Sequence, residues 1–258
     1  MLLVDNLTKQ FGNQPVLTGC HLEIAKGSLT AIIGPNGCGK STLFNVLTGD
    51  LAADRGRVVF CGQDIAQKHP RQIARQGLLR KFQIPGVYAN LTVAAHLQLA
   101  TSLLPRQSNP RWSFFMRSSS RHKRRQNCAE VQDANIQTHA NTLGLGKLWD
   151  TQAKHLSTGQ KQRLELAMLL LLKPKLLLLD EPIAGMSAKE AAETLDLLKQ
   201  LNADGLTIVV IEHNMDFVKR LTEDIAVLMS GQFQLRGHYD LIKADPNIRK
   251  NYLGTIYA

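Results

Sequence analysis

The sequence predicts an α/β fold, a mostly parallel sheet interrupted by a helical insertion. Three observations carry that prediction. Short runs of Val, Ile and Leu alternate with longer segments of helical period, the pattern of strands joined by crossover helices. A glycine-rich stretch of the form GxxxxGK[ST] lies between one apolar run and a helical segment. From about Ile84 to His155 no convincing strand can be read. A chain of 258 residues is long enough to bury a sizeable core.

In chain order, Leu29 to Ile33 reads as a buried strand and Lys40 to Thr48 as the helix that follows it. Thr92 to Leu104 and about Arg124 to Leu143 read as helices of the insertion, separated by a Pro-, Ser- and Arg-rich connection. Lys161 to Leu172 is helical, Leu176 to Leu179 is a strand, Ala188 to Asn202 a helix and Thr207 to Ile211 a further strand.

Composition excludes several classes. With 44% hydrophobic and 20% charged residues the chain is neither disordered nor fibrous. Its longest apolar stretch, Ala167 to Leu179, is broken by Lys173, Pro174 and Lys175 and falls short of the roughly 20 residues a membrane span needs. The N-terminus lacks a basic region and places Asp5 in the would-be apolar segment of a signal peptide, so a cytoplasmic location is expected. Cys20, Cys38, Cys61 and Cys128 form no CxxC pair, which argues against a zinc knuckle or a disulfide framework. The net charge of +10 admits nucleic acid, an anionic membrane surface or phosphate ligands. That excess is local: residues 101–132 hold Arg106, Arg111, Arg117, Arg121, Lys123, Arg124 and Arg125 against Glu130 alone, a net +6.

Gly34-Pro35-Asn36-Gly37-Cys38-Gly39-Lys40-Ser41, with Thr42 beside it, follows a predicted strand and opens a predicted helix, the context a phosphate-binding loop requires. Glycines let backbone amides turn inward around phosphate oxygens, and the helix N-terminus adds partial positive charge. Lys40 is expected to reach the terminal phosphates and the Ser41 hydroxyl to ligate Mg²⁺. Cys38 has two readings: helix-end charge favours a thiolate, and packing inside the loop favours an inert thiol. Leu176 to Leu179 followed by Asp180 and Glu181 is an apolar strand ending in two acids. Beside the loop, Asp180 would lie near Mg²⁺ and Glu181 could polarise a water attacking the γ-phosphorus of a nucleotide.

Three further segments give these motifs a family resemblance. His155-Leu156-Ser157-Thr158-Gly159-Gln160 resembles the signature of ABC ATPases, usually LSGGQ; Gln83 in Arg80-Lys81-Phe82-Gln83 resembles the Q-loop; and His213 in Ile211-Glu212-His213 resembles the switch histidine. The order of these motifs is similar to that superfamily across nearly the whole chain. The resemblance implies one ATPase domain over 1–258: a P-loop NTPase (RecA-like) core of 1–84 and 155–235 with an antiparallel β region, an inserted α-helical subdomain over 85–154 carrying the basic insertion, and a C-terminal extension over 236–258. It also implies roles. Phe11 stacks on adenine, Gln83 senses Mg²⁺, and His213 contacts the γ-phosphate of ATP. Ser157, Gly159 and Gln160 close over ATP held by a second ATPase subunit, in a head-to-tail homo- or heterodimer. Thr158 departs from the glycine common at its place, and Ala184-Gly185-Met186-Ser187 lacks the aspartate common in the D-loop.

Within the superfamily, Arg80-Lys81-Phe82-Gln83, Leu91-Thr92-Val93, the long insertion before the signature, Glu212-His213-Asn214-Met215, and the tail Ala244-Asp245-Pro246 to Tyr252-Leu253-Gly254 resemble ATP-binding subunits of the branched-chain amino acid and urea uptake family. Gly159-Gln160-Lys161-Gln162 and Asp180 to Ser187 resemble its urea-type branch. The implied protein docks on separate transmembrane permease subunits at the cytoplasmic face of the membrane and serves, indirectly, a solute-binding protein. The alternative is a non-transport ABC ATPase acting on nucleic acid or ribosomes; the basic balance favours it, while a single P-loop without a heptad run opposes it, and no nucleic-acid partner is expected. A nucleotide-gated scaffold is a third reading, opposed by Glu181 and His213. For the basic segment, Arg111-Trp112-Ser113-Phe114-Phe115-Met116-Arg117 and Arg121 to Arg125, a solvated surface loop and a membrane- or permease-docking element both stand.

Overall fold

A computed structural model describes residues 1–81, 86–102, 136–252 and 254. The chain divides into two compact units, Met1–Ile84 with Pro174–Ala258, and Pro85–Lys173.

The first unit holds two sheets. Strands β1 (Leu2–Phe11), β2 (Gln14–Ile24), β4 (Arg55–Phe60) and β5 (Gln63–Asp64) form an antiparallel sheet in the order β2-β1-β4-β5. Strands β3 (Leu29–Ile33), β6 (Leu78–Lys81), β7 (Leu176–Asp180), β8 (Thr207–Ile211), β9 (Asp224–Met229) and β10 (Gln232–Gly237) form the second, in the order β10-β9-β3-β8-β7-β6. That sheet is parallel except for β10. Strands β3, β7 and β8 are buried at every position, which is why they read as nearly continuous apolar runs. In β3 the alternation is still visible: Ile32 faces the core shared with Val4, Phe44, Phe60 and Leu178, while Ala31 and Ile33 face Met215, Val218, Ile242, Ile248 and Tyr252. Each Val, Ile, Leu, Met or Phe among them contributes about 1.5–3 kcal/mol by leaving water.

Helices α1 (Lys40–Leu47), α2 (Pro70–Gln76), α5 (Ala188–Ala203), α6 (Met215–Leu221), α7 (Tyr239–Ala244) and α8 (Pro246–Asn251) complete this unit. The second unit is built around α3 (Val93–Ser102), a helical stretch over 136–142 and α4 (Thr158–Leu171). There the buried His96 accepts the Tyr88 amide at 2.8 Å on Nε2, and Ala153 and Lys154 donate their amides to Leu91 and Ala89.

The expected strands at 29–33 and 207–211 have those bounds, and the one at 176–179 gains Asp180. The helix expected over 92–104 is described from Val93 to Ser102, and the one over 124–143 is helical in its described part. The expected return to the core at 155 differs from the boundary seen, because α4 packs with α3 inside the second unit. Gln83, Arg106 to Arg125, Cys128 and Leu253 lie outside the described residues.

Candidate functional site

The loop 34–39 joins β3 to α1. Gly34 has φ 155° and packs so closely on β9 that a Cβ there would run into the Leu228 carbonyl oxygen; glycine is the residue this approach permits. At the other end Gly39, with φ 108°, is the N-cap of α1 and brings no side chain to cap the first-turn amides, which leaves them for an anion. Lys40 is buried, and its ammonium donates to the Gly34 and Pro35 carbonyls at 2.7 and 2.9 Å. Burial pushes its pKa down, opposed by the nearby Cys38 thiol, Glu181 and Asp180. Burial pushes the Cys38 thiol up, outweighing the nearby Lys40.

A cavity of about 190 Å³ opens in front of the loop. It is lined by Asn36, Gly37 and Gly39, by Lys40, Ser41 and Thr42, by Asp180 and Glu181 at the end of β7, and by Ile211 and His213 at the end of β8. Residues far apart in the chain meet because β7 and β8 are parallel neighbours ending at the same edge, Asp180 paired with Ile211. The volume is below the roughly 300 Å³ at which small-molecule pockets begin, a size suited to phosphates and not to a whole nucleoside.

Asp180 forms an ion pair with Arg80 at 2.8 Å, both side chains nearly buried. Arg80 also donates to Asn45 at 2.5 Å and lies 5.4 Å from the Phe44 ring centroid. Glu181 turns the chain sharply: φ is 47°, in the left-handed region that non-glycine residues rarely adopt. Its amide donates to the Ile211 carbonyl at 2.9 Å, and its Oε1 lies 2.9 Å from His213 Nε2. Glu212 is buried beside them and accepts the amides of Ile183 at 3.2 Å and His213 at 3.1 Å. Burial raises its pKa against these bonds and a third from the Asn214 backbone.

Sequence reasoning missed Arg80 and Glu212. Arg80 is 100 residues from Asp180, and the β6–β7 pairing that joins them leaves no trace in spacing. Glu212 stood inside a quoted motif, where a lone acid next to a histidine gives no sign that it is buried.

Phe11 is not among the residues that line the cavity. Phe11, 48% exposed at the end of β1, leaves its ring open for stacking, with the Lys9 ammonium 5.7 Å from its centroid. Lys9 is paired with Asp54 at 2.9 Å. In the second unit Ser157 is the N-cap of α4, accepting the Gln160 amide, while Gln160 Oε1 accepts the Ser157 amide. This reciprocal cap fixes the backbone of the segment read as the signature, with Gly159 in the first turn.

The chemistry of these donors fits a nucleotide triphosphate with Mg²⁺. Among the described residues no group of three or more His, Cys, Asp or Glu could hold a metal alone, and Mg²⁺ characteristically takes one or two protein oxygens together with substrate phosphates. Ser41 and Asp180 supply such oxygens.

Comparison with known proteins bears on the same residues. A family model described as "ABC transporter" matches residues 17–184. The chain is 34% identical to a probable branched-chain amino acid transport ATP-binding protein LivG of Methanocaldococcus jannaschii, over 98% of this chain and 97% of that one. It is 33% identical to the high-affinity branched-chain amino acid transport ATP-binding protein LivG of Escherichia coli, over 98% of each. Among solved structures, the ADP conformation of an ATP-binding cassette superposes with a TM-score of 0.82 at 33% identity, covering 98% of both chains.

Proposed function

This chain belongs to the ABC transporter family and is an ATPase, and from that premise we propose that it energises an importer of small polar solutes through a separate permease. The observation that carries the hydrolytic reading is the convergence, in one phosphate-sized cavity, of Lys40, Glu181 and His213, the last two 2.9 Å apart. Lys40 and the first-turn amides of α1 hold the β- and γ-phosphates, and Phe11 stacks on the adenine. Bound Mg²⁺, held by Ser41, Asp180 and Gln83, would neutralise charge on the phosphate oxygens. Glu181 orients a water and takes its proton, and His213 fixes the Glu181 carboxylate while it faces the γ-phosphate. Ser157, Gly159 and Gln160 serve the site of a second ATPase subunit, so full activity needs a head-to-tail dimer.

The solute is proposed to be a branched-chain amino acid, supported by relatives of that description matched nearly end to end. Urea or a related amide is the second reading, favoured by the segments 159–162 and 180–187. The work is placed at the cytoplasmic face of the membrane by this reading, supported by relatives described as transport ATP-binding proteins. Glu181→Gln tests the mechanism. ATP affinity should stay near that of the unaltered chain while kcat falls on the order of 10²- to 10⁴-fold; normal turnover would remove Glu181 from the base role. Uptake of leucine against urea by vesicles carrying the co-purified permease decides the solute.

A further inference from the structure

We propose that Glu212 is a positioning residue for hydrolysis: its buried carboxylate ties the turn after β7 to the backbone of His213 and so holds Glu181 and His213 in register. The proposal rests on the hydrolytic reading of those two residues.

The turn from Glu181 to Ser187 is compact, closed by Ala184 donating to the Glu181 carbonyl and Met186 to the Ile183 carbonyl, each at 3.1 Å. It begins with Glu181 in a left-handed conformation, and such a residue holds that shape only where its surroundings fix it. Two of the bonds that hold the turn come from the end of β8. Glu181 donates its amide to the Ile211 carbonyl, and two residues further on Ile183 donates to Glu212 Oε1. Glu212 Oε2 accepts the amide of His213, so one carboxylate bonds the backbone of His213 and that of Ile183, two residues after Glu181, while the Glu181 and His213 side chains meet at 2.9 Å.

The turn has no acid of its own between Glu181 and Glu190. The carboxylate at this place is supplied from the adjacent strand instead, and it is 4% exposed. A buried carboxylate is costly unless well bonded, and an apolar side chain of its size would leave the Ile183 and His213 amides without an acceptor. A stability role alone would require only that these two amides keep an acceptor. A displacement of the turn, by contrast, reaches His213 through one rigid side chain.

The purified full-length chain tests this with two readouts, steady-state ATP hydrolysis and amide hydrogen exchange at Ile183. Glu212→Asp keeps both oxygens but is one methylene short, so it retains His213 and releases Ile183. Its kcat should fall on the order of 10- to 100-fold with KM changed by less than about threefold. Exchange at Ile183 should quicken while the amides of β7 and β8 keep their protection. Glu212→Gln, with the native length and one acceptor, should recover part of kcat. A kcat for Glu212→Asp within about twofold of the unaltered chain, or a loss accompanied by faster exchange throughout β7 and β8, overturns the proposal. Should the Asp variant not fold, Glu212→Gln is read alone: slower turnover with faster Ile183 exchange supports the clamp, and no change in either overturns it. An unaltered chain that hydrolyses no ATP would strike the proposed function instead, and the exchange at Ile183 would still decide whether Glu212 holds the turn.

Discussion

Lys40 carries its charge in a buried position by bonding to the carbonyls of its own loop. The ammonium is thus placed before any phosphate arrives, and little side-chain entropy is left to lose on binding. Lys40→Ala should weaken ATP binding by about 10- to 100-fold, the worth of one or two hydrogen bonds to a charged group, in a calorimetric titration; an unchanged affinity would count against this loop as the phosphate site. Arg80 matters for a different reason. With Asp180 it forms a nearly buried pair, and removing one member leaves the other uncompensated. Arg80→Ala should destabilise the fold by about 3–5 kcal/mol in urea denaturation, and Arg80→Ala with Asp180→Asn should recover part of that loss. At this scale the sequence made Lys40, Ser41, Asp180 and Glu181 legible, because motif and strand end are local patterns. Arg80 and Glu212 were not, because their partners are set by which strands lie side by side.

Among the elements, β3, β7 and β8 were legible for one physical reason: burial on both faces leaves a run that is apolar but for Thr30, Asp180 and Thr207. The strands of the antiparallel sheet were not read individually. In β1 the register slips between Val4 and Leu7, between Leu7 and Thr8, and again between Lys9 and Gln10, with Asn6 at φ 50°; each irregularity breaks the alternation that marks a half-buried strand. Strand β9 begins at Asp224, which accepts from Thr30 on β3 at 2.6 Å and from Arg236 on β10, so one carboxylate joins three neighbouring strands. Burial raises its pKa, but Arg236 and Thr30 outweigh that and hold it below the usual carboxylate value of 3.8. A depressed acid adds stability that is present above its unfolded pKa and lost as pH falls through the folded one. Asp224→Asn should therefore lower stability at neutral pH and flatten its decline below about pH 4, measured as the urea midpoint against pH; parallel curves for the two proteins would contradict this.

For the whole molecule, the charge of +10 is concentrated in 101–132 and is not spread evenly over the fold. Neutralising Arg121, Lys123, Arg124 and Arg125 together should weaken association with anionic vesicles by about 1 kcal/mol per residue, with ATP affinity retained; unchanged vesicle binding would leave this segment a solvated loop. The whole fold also joins distant parts of the chain. Thr18 donates its amide to Gly231, Cys20 its thiol to the same carbonyl, and Gln232 its side-chain amide to Thr18, across more than 200 residues. Strand β3, which leads into the phosphate loop, has β8 on one side and β9 on the other, and Gly34 rests on Leu228. During synthesis on the ribosome, the loop motif therefore emerges well before the two strands that flank β3. The surroundings of Gly34 are complete only when β9 has left the exit tunnel, so the phosphate loop is among the first motifs made and among the last to gain all its neighbours.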